Sequence, residues 1–198
     1  MGFYDQHILP RLIDVAMRNG RLAPYRERVI ARAEGRVLEI GVGSGPNLPF
    51  YSSQATEVFG LEPHPKLRAM ASAVGFRVIH GSAEAIPLDQ ASVDTVVTTW
   101  TLCSIPNIET ALLEIRRVLR PGGQLLFVEH GLAADAGVQR WQHRLTPAWK
   151  RIAGGCHLDR NMPTLIQAAG FEIVQMEAEH MPGPRPMTFM YEGSARPL

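Results

Sequence analysis

The sequence predicts an α/β fold in a single domain, with a doubly wound and largely parallel sheet. Its 198 residues fall within the size range of one domain. From residue 36 onward, short apolar runs rich in Val, Ile and Leu alternate with stretches of helical periodicity, and a glycine-rich turn follows the first run. Strands that alternate with helices are typical of parallel sheets whose two faces are covered.

Strands can be placed along most of the chain. The first five are predicted at residues 36–42, 57–62, 76–80, 93–98 and 124–130. Helices are predicted between them at 47–53, 65–74 and 107–119, and the Arg-Pro-Gly-Gly turn at 120–123 ends the last of these helices. Two further strands at 171–179 and 187–193 are joined by a proline-rich segment. We expect this pair to finish the sheet as a hairpin.

The first 34 residues are predicted to form an N-terminal helical cap (1–34) ahead of the main domain (35–198). Apolar residues at helical spacing predict one helix over residues 5–18, and a second is predicted over 22–34. The second helix carries Arg26, Arg28 and Arg32. Such arginines usually form a solvated face; the alternative is a surface that contacts an anionic membrane weakly or an acidic substrate.

Composition excludes several classes of protein. The 20 Lys and Arg against 19 Asp and Glu give a formal net charge of +1, so no nucleic-acid partner is expected. Two cysteines are too few for a disulfide framework and fit a reducing compartment. No signal-peptide pattern is visible, and no apolar run approaches the ~20 residues that span a bilayer. We therefore expect a cytoplasmic protein.

The strongest local signal is the glycine-rich turn within residues 37–47, where a buried strand is followed by a helix start. Glu39 precedes Gly41, Gly43 and Gly45, and glycines allow a ligand to approach the backbone closely. A dinucleotide-binding fingerprint would place its third glycine at position 46, which is Pro46 here. The spacing therefore disfavours a nicotinamide-dependent oxidoreductase.

An acidic residue follows the second predicted strand. Glu62 lies about 20 residues after the glycine turn, where a carboxylate can accept hydrogen bonds from both ribose hydroxyls of a nucleoside. The polar segment 80–88 follows the third strand and could hold an adenine edge. Together these features favour a nucleoside-containing cofactor.

The segments LEIGVGSG, GLEP, GSAEAIPL, SVDTVVTTWTLCS and EIRRVLRPGGQLLFVEHG resemble the class I S-adenosylmethionine-dependent methyltransferases, in the order of that family. The resemblance implies a Rossmann-like sheet of seven strands whose last strand is antiparallel. It also implies that S-adenosyl-L-methionine is the cofactor. The residues it assigns to the cofactor site are Glu39, Gly41, Gly43, Gly45, Asn47, Glu62, Pro63, Ser82, Ala83, Glu84, Thr99 and Leu102.

A narrower resemblance covers TLCSI, the two tryptophans Trp141 and Trp149, and the segment GGCHLDR at 154–160. These segments are similar to the small thiol S-methyltransferases, although the long hydrophobic N-terminal anchor of the animal members is missing from this sequence. The resemblance implies methyl transfer to the sulfur of a small or lipophilic thiol. The two tryptophans are expected either as an apolar lid or as core residues, with Pro147 interrupting the helix between them.

Three residues are candidates for a catalytic role. His130 ends a predicted strand at the ligand-binding edge, and His157 and Asp159 lie in the Gly-Cys-His segment. Either histidine could act as a general base, which a thiol needs less than a phenol does, because a thiol has a pKa near 8.5. The spacing of Cys156, His157 and Asp159 matches no zinc pattern, so no metal site is expected.

Other functions stay open at this stage. The small-molecule acceptor could be a quinol-like phenol or an aminophospholipid, which would make the enzyme an O- or N-methyltransferase. A non-enzymatic alternative is a cofactor-binding module on a membrane surface. An adenine methyltransferase of nucleic acids is disfavoured. Those enzymes carry an Asn/Asp-Pro-Pro-aromatic segment after the fourth strand, whereas this sequence has Thr99-Trp100-Thr101-Leu102 there. The oligomeric state cannot be inferred.

Overall fold

The sheet of the protein contains seven strands. The computed structural model describes residues 2–198, the side chain of Asp5 excepted. The strands are β1 (Gly35–Ile40), β2 (Ala55–Leu61), β3 (Arg77–Ile79), β4 (Val93–Thr99), β5 (Leu119–His130), β6 (Phe171–His180) and β7 (Phe189–Pro197). Their order is β3-β2-β1-β4-β5-β7-β6. All neighbours from β3 to β5 are parallel, whereas β7 runs antiparallel to β5 and β6. The predicted fold, including its antiparallel last strand, is confirmed.

Six α-helices accompany the sheet in the described part of the chain. They are α1 (Leu9–Met17), α2 (Ala23–Ile30), α3 (Pro65–Ala73), α4 (Ile108–Val118), α5 (Ala136–Ile152) and α6 (Met162–Ala168). A π-helical turn (Tyr4–Ile8) precedes α1, and short 3₁₀ turns lie at Gly20–Leu22, Leu48–Phe50 and Arg185–Met187. Across residues 2–198, no helix combines the length and apolar character needed to cross a lipid bilayer.

The two faces of the sheet are both covered, as the alternation of side chains along a strand requires. In β1, Leu38 belongs to the core cluster that includes Leu112 and Ile115 of α4. Val37, on the opposite face, packs in a second cluster with Ile30 of α2. The helix α2, which was predicted as part of a cap, therefore contributes to the main hydrophobic core.

Several local features differ from the predictions. The helix predicted at 47–53 is a single 3₁₀ turn that ends where Tyr51 becomes extended and donates its hydroxyl to Glu39. Pro147 does not interrupt α5, which runs from Ala136 to Ile152. The helix α6 was not predicted; it begins at the Asn161 cap, whose Oδ1 accepts from the backbone N–H of Thr164 at 3.2 Å.

The turn Arg120–Gly123 was predicted to end α4 and to precede the next strand. In the structure β5 already begins at Leu119, and its register with β4 shifts between the pairs Val93–Leu119 and Thr95–Gln124. The Pro-Gly-Gly segment is therefore an irregular part of β5 and is not a separate turn. Gly122 has φ +81°, a conformation that suits glycine there.

The arginines of the second helix do not form a free basic face. Arg26 is 2% exposed, and its Nε donates to Asn47 Oδ1 at 2.6 Å. Arg28 pairs with Glu192 at 2.7 Å, and the side chain of Arg32 donates to Ser194 Oγ at 3.1 Å. The prediction of a solvated face is wrong for Arg26, whose guanidinium group is bound inside the fold.

Candidate functional site

A cavity of about 640 Å³ lies at the carboxyl ends of β1, β2, β4 and β5. This is the edge at which open α/β sheets bind ligands, beside the point where the strand order reverses between β1 and β4. Its volume is in the range of small-molecule sites. The helix α1 covers one side with its apolar residues Leu9, Leu12, Ile13, Ala16 and Met17.

The glycine turn after β1 forms part of the cavity wall. Gly41 and Gly43 line the cavity and have φ values of +66° and +57°. A Cβ built on Gly43 would meet no atom closer than Gly41 O at 4.0 Å, so the missing side chain leaves open space for a ligand. Gly45 is not among the lining residues, because it packs against Ala71 and Val74 at the end of α3. The lack of a side chain at Gly45 therefore allows the turn to pack closely against the end of α3.

Ser44 connects the glycine turn to the helix that covers the cavity. Its hydroxyl donates to the carboxylate of Asp14 on α1. The same carboxylate pairs with Arg18 Nε at 2.7 Å. A specific polar contact therefore fixes α1 over the cavity, in addition to its apolar residues.

Glu62 lies one residue beyond β2, 5% exposed, and lines the cavity. Its Oε2 accepts from the backbone N–H of Gly43 at 2.9 Å, and its Oε1 accepts from the N–H of His64 at 2.8 Å. Burial raises the pKa of Glu62, although both hydrogen bonds oppose the rise. A carboxylate has about four acceptor positions, so two remain for a ligand.

Glu39 is the centre of a buried hydrogen-bond network beneath the glycine turn. It accepts from Asn47 Nδ2 at 2.9 Å and from the hydroxyl of Tyr51 at 2.7 Å. Asn47 Nδ2 also donates to Thr99 Oγ1 at 2.9 Å. Burial raises the pKa of Glu39 to about 7, against the effect of the two hydrogen bonds. Glu39, Asn47 and Thr99 all line the cavity, and the network fixes the ends of β1 and β4 relative to each other.

The segment after β3 contributes Ser82, Ala83 and Glu84 to the lining, and Pro63 also lines the cavity. The backbone N–H of Glu84 donates to Ser82 Oγ at 3.2 Å, which shapes a tight turn. Leu102 is placed elsewhere than the resemblance implies. It is completely buried in the core cluster and is not among the lining residues.

The end of β5 presents two polar residues. Glu129 is inaccessible to solvent and accepts from the backbone N–H groups of Thr101 (3.1 Å) and Cys103 (3.3 Å). Burial raises the pKa of Glu129 to about 7. His130 follows, lines the cavity and is 5% exposed. Its Nε2 is buried and has no hydrogen-bond partner.

The two cysteines meet beside His130. Their Sγ atoms are 3.6 Å apart, and the Sγ of Cys156 lies 3.5 Å from His130 Nδ1. Both cysteines are free thiols and both line the cavity. Cys103 is buried, whereas Cys156 is partly exposed.

His157 and Asp159 lie outside the lining of the cavity. Their side chains are 3.8 Å apart, and Asp159 Oδ2 is 3.0 Å from His143 Nδ1 on α5. The backbone N–H of His157 donates to Cys103 O at 2.8 Å, so this residue holds two loops together. Among the described residues, no cluster of His, Cys, Asp and Glu is arranged to hold a metal ion.

Sequence reasoning missed three features of the site. Trp100 lines the cavity with φ +51°, a left-handed conformation that is uncommon for a bulky residue. Its ring stacks below the guanidinium of Arg26, 4.9 Å from the ring centroid. Glu129 and the Cys103–Cys156 pair were also missed. The sequence could have indicated Glu129, because an acidic residue inside an apolar strand is unusual. No local pattern indicates that the two cysteines lie close together.

The residues present fit the nucleoside cofactor that the resemblance implies. Gly43 leaves open space where a side chain would stand, and the buried carboxylate of Glu62 has free acceptor positions beside it. Such a carboxylate suits a pair of ribose hydroxyls. Pro46 confirms that the turn lacks the third glycine with which a dinucleotide site brings helix and strand together.

Comparisons with known proteins point the same way. Residues 38–127 match the family described as a methyltransferase domain. The chain is 37% identical over 161 residues to the rat thiol S-methyltransferase TMT1B, and the aligned region covers 75% of this chain and 65% of the relative. It is 36% identical over 163 residues to the human thiol S-methyltransferase TMT1B, with 76% and 66% covered. The chain thus spans about two thirds of the length of these curated relatives.

The fold also recurs among solved structures. A possible histamine N-methyltransferase from Thermotoga maritima, described as dependent on S-adenosylmethionine, matches with a TM-score of 0.67. The match covers 96% of this chain and 97% of the other at 23% identity, which shows the shared fold. The domain match, the curated relatives and the strand order agree with one another, and the chain contains a methyltransferase domain with the Rossmann-like fold of S-adenosylmethionine-dependent methyltransferases.

Proposed function

We propose that this protein transfers the methyl group of S-adenosylmethionine to the sulfur of a small or lipophilic thiol. The similarity to rat and human thiol S-methyltransferases supports this acceptor, because it covers three quarters of the chain. The cavity supports it as well, since its wall is largely apolar and carries a histidine at the end opposite the glycine turn. Bound S-adenosylmethionine supplies a methyl group activated on a sulfonium.

We assign the cofactor to the part of the cavity beside Glu62 and the acceptor to the part beside His130. Glu62 follows β2 and His130 ends β5, with β1 and β4 between these strands. Three strand spacings correspond to about 14 Å. Beyond His130, the lining contains Met187, Met190 and Ile152, which favour an apolar acceptor.

The observation that carries the choice of sulfur is the similarity to the thiol S-methyltransferases, and the unpartnered Nε2 of His130 offers a place for the acceptor's proton. When Nδ1 donates to the Cys156 sulfur, the buried Nε2 keeps an unused lone pair on a side chain that lines the cavity. It can then accept a hydrogen bond from an acceptor S–H group and receive its proton. A thiol has a pKa near 8.5 and loses this proton easily, so one neutral imidazole is sufficient.

Exclusion of water completes the arrangement. A thiolate that attacks a cationic methyl donor gains from a dry, preorganised site, because water would stabilise the separated charges. The apolar residues of α1 and the Asp14–Ser44 contact cover the cavity in this way. We extend the proposal to the first helix of the predicted cap (1–34): α1 closes the site, whereas α2 belongs to the core.

The proposed setting is a reducing one such as the cytoplasm, since both cysteines are free. The partner is a small molecule, and no nucleic acid is proposed because the net charge is only +1. A weak membrane contact is supported by the exposed apolar side chains of Phe3, Leu12 and Val15. The bound arginines of α2 contribute little to such a contact.

The test is the initial rate against pH for two thiols of different acidity. The rate should rise toward the pKa of each thiol and reach its plateau earlier for the more acidic one. His130→Ala should lower kcat/KM by about tenfold, the effect of one hydrogen bond of about 1.5 kcal/mol. His157→Ala should change it little, because its side chain lies outside the lining. Faster turnover of a quinol or an aminophospholipid than of every thiol would overturn the sulfur assignment.

A further inference from the structure

We propose that Cys103 and Cys156 form a redox-active dithiol in which Cys156 attacks small-molecule disulfides and Cys103 resolves the mixed disulfide. This activity is additional to methyl transfer. That the released thiol then serves as a methyl acceptor rests on the proposed function; the exchange itself does not.

The geometry brings together residues that are distant in the chain. Cys103 follows β4 and Cys156 follows α5, yet their sulfur atoms are 3.6 Å apart. Both line the cavity, Cys156 with a partly exposed side chain and Cys103 buried behind it. A disulfide that enters the acceptor part therefore meets Cys156 first.

The environments of the two thiols suit different roles. The hydrogen bond with Cys103, and then the interaction with His130, lower the pKa of Cys156 although burial opposes this. The same hydrogen bond and burial hold the pKa of Cys103 well above its usual range. A thiolate is the nucleophile in exchange, and a partner that stays protonated can donate to it.

Other charged groups face the pair from neighbouring elements. Arg160 interacts electrostatically with both cysteines, and His157 interacts with Cys156. Glu129 raises the pKa of Cys103 further. Two basic groups therefore act on the pair, and the one acidic group among them helps to keep Cys103 protonated.

The exchange balances without a further oxidant. The Cys156 thiolate attacks one sulfur of the disulfide, the sulfur–sulfur bond breaks, and one thiolate leaves. Cys103 transfers its proton to this leaving group or to His130, attacks the Cys156 sulfur and releases the second leaving group as a thiolate, which takes a proton from water. Two electrons pass from the cysteine pair to the small molecule, which yields two thiols and a Cys103–Cys156 disulfide. Two equivalents of a cellular monothiol reductant regenerate the pair.

The experiment uses the full chain, reduced and then freed of reductant under anaerobic conditions. The probe is bis(2-hydroxyethyl) disulfide, without S-adenosylmethionine, and the reaction is stopped with N-ethylmaleimide. Intact mass should show loss of two hydrogens with no maleimide added, and two equivalents of mercaptoethanol should appear. A wild-type protein that keeps both thiols, or stops at a mixed disulfide, would overturn the proposal.

Single variants separate the two roles. Cys103→Ser should accumulate a stable mixed disulfide on Cys156, whereas Cys156→Ser should react far more slowly, because Cys103 is buried with a raised pKa. The guanidinium-unfolded wild type serves as the matched control, since its two cysteines should react equally. Equal reactivity of the two single variants in the folded state would contradict the assignment.

The pH dependence gives an independent readout. An ordinary thiol with a pKa near 8.5 should capture the probe about 75-fold more slowly at pH 6 than at pH 8. In the Cys103→Ser variant, Cys156 loses the hydrogen bond with Cys103 but keeps its contact with His130. Its rate of capture should therefore decline clearly less from pH 8 to pH 6 than the rate of free cysteine. A decline equal to that of free cysteine would refute an activated Cys156.

Failure of this proposal is distinguishable from failure of the proposed function. Methyl transfer is measured with free thiols in the presence of a phosphine, which keeps both cysteines reduced without adding a thiol. Methylated product there, without cysteine oxidation in the first assay, would reject only the dithiol. Cysteine oxidation without any methylated thiol would reject only the sulfur acceptor.

Discussion

Replacement of Glu62 by alanine should weaken binding of S-adenosylhomocysteine strongly. The carboxylate lies at the end of β2, nearly inaccessible to solvent, and keeps two acceptor positions beyond those used by the N–H groups of Gly43 and His64. Two ribose hydroxyls would occupy these positions. At about 1.5 kcal/mol for each hydrogen bond to a charged group, the loss is about 3 kcal/mol, or about 150-fold in affinity.

A graded series makes the argument sharper. Glu62→Gln keeps one acceptor oxygen and the side-chain volume, so about half of the free energy, a factor of about tenfold, should be lost. Glu57→Gln is the matched control on the same strand. Its carboxylate pairs with Arg36 and Arg77 at the surface, far from the lining, so affinity should stay within about twofold.

The assay is calorimetric titration with S-adenosylhomocysteine, after thermal denaturation has shown each variant to be folded. The wild-type affinity should also fall as the pH drops, because burial raises the pKa of Glu62 and only its ionised form accepts both hydroxyls. Glu62→Gln should lack this dependence. An unchanged dissociation constant in Glu62→Ala would remove Glu62 from the site, and tight binding of NADH would overturn the cofactor assignment.

Deletion of residues 1–20 should leave a folded core with reduced turnover, because the cavity loses its apolar cover and the Asp14 contact; full turnover with unchanged substrate affinity would refute closure by α1. Gly43→Ala should cost about 1 kcal/mol of backbone strain, because φ is positive there, and should weaken binding of S-adenosylhomocysteine in the same titration. Gly20→Ala is the control, because its Cβ would meet no atom within 4 Å, and it should leave both stability and binding unchanged. Glu129 has its pKa raised to about 7 by burial, so its native form holds a proton that the unfolded form, with a pKa of about 4.3, has released. Its contribution to the free energy of unfolding is complete below the unfolded pKa of about 4.3 and is lost as the pH rises through 7. Urea denaturation at pH 5, 6, 7 and 8 measures this decline, which should be flatter in Glu129→Gln. An equally steep decline in the variant would contradict the argument.

The strand pattern, and the part of the cavity lining that is assigned to the cofactor, were predictable from local sequence. A buried parallel strand needs a run of apolar residues, and the runs that contain Val37–Ile40 and Val93–Thr98 are explicit. The turn that follows β1 needs left-handed residues at Gly41 and Gly43, a requirement of a few adjacent residues. Glu62 could be placed because its distance from that turn reflects one strand and its connection.

The helical predictions were less accurate where local rules compete with packing. Pro147 has no backbone N–H group and usually ends or kinks a helix, yet α5 continues to Ile152. The helix is held at its Asp135 cap, whose Oδ1 accepts from the N–H of Val138 at 2.9 Å. Burial of Gln142 and Thr146 on the same helix adds contacts that the sequence pattern does not show.

The acceptor end was decided by tertiary structure alone. Cys156 lies 26 residues after His130 and 53 residues after Cys103, yet its sulfur is within 3.6 Å of the side chains of both. Their contact depends on the strand order, which places the end of β4 beside the end of β5, and on the loop after α5 that returns to both. Sequence patterns report the conformation that neighbouring residues prefer, because those preferences act over a few residues. The proximity of distant side chains, and with it the lowered pKa of Cys156 and the raised pKa of the buried Glu129, arises only when the sheet and its connections are packed together.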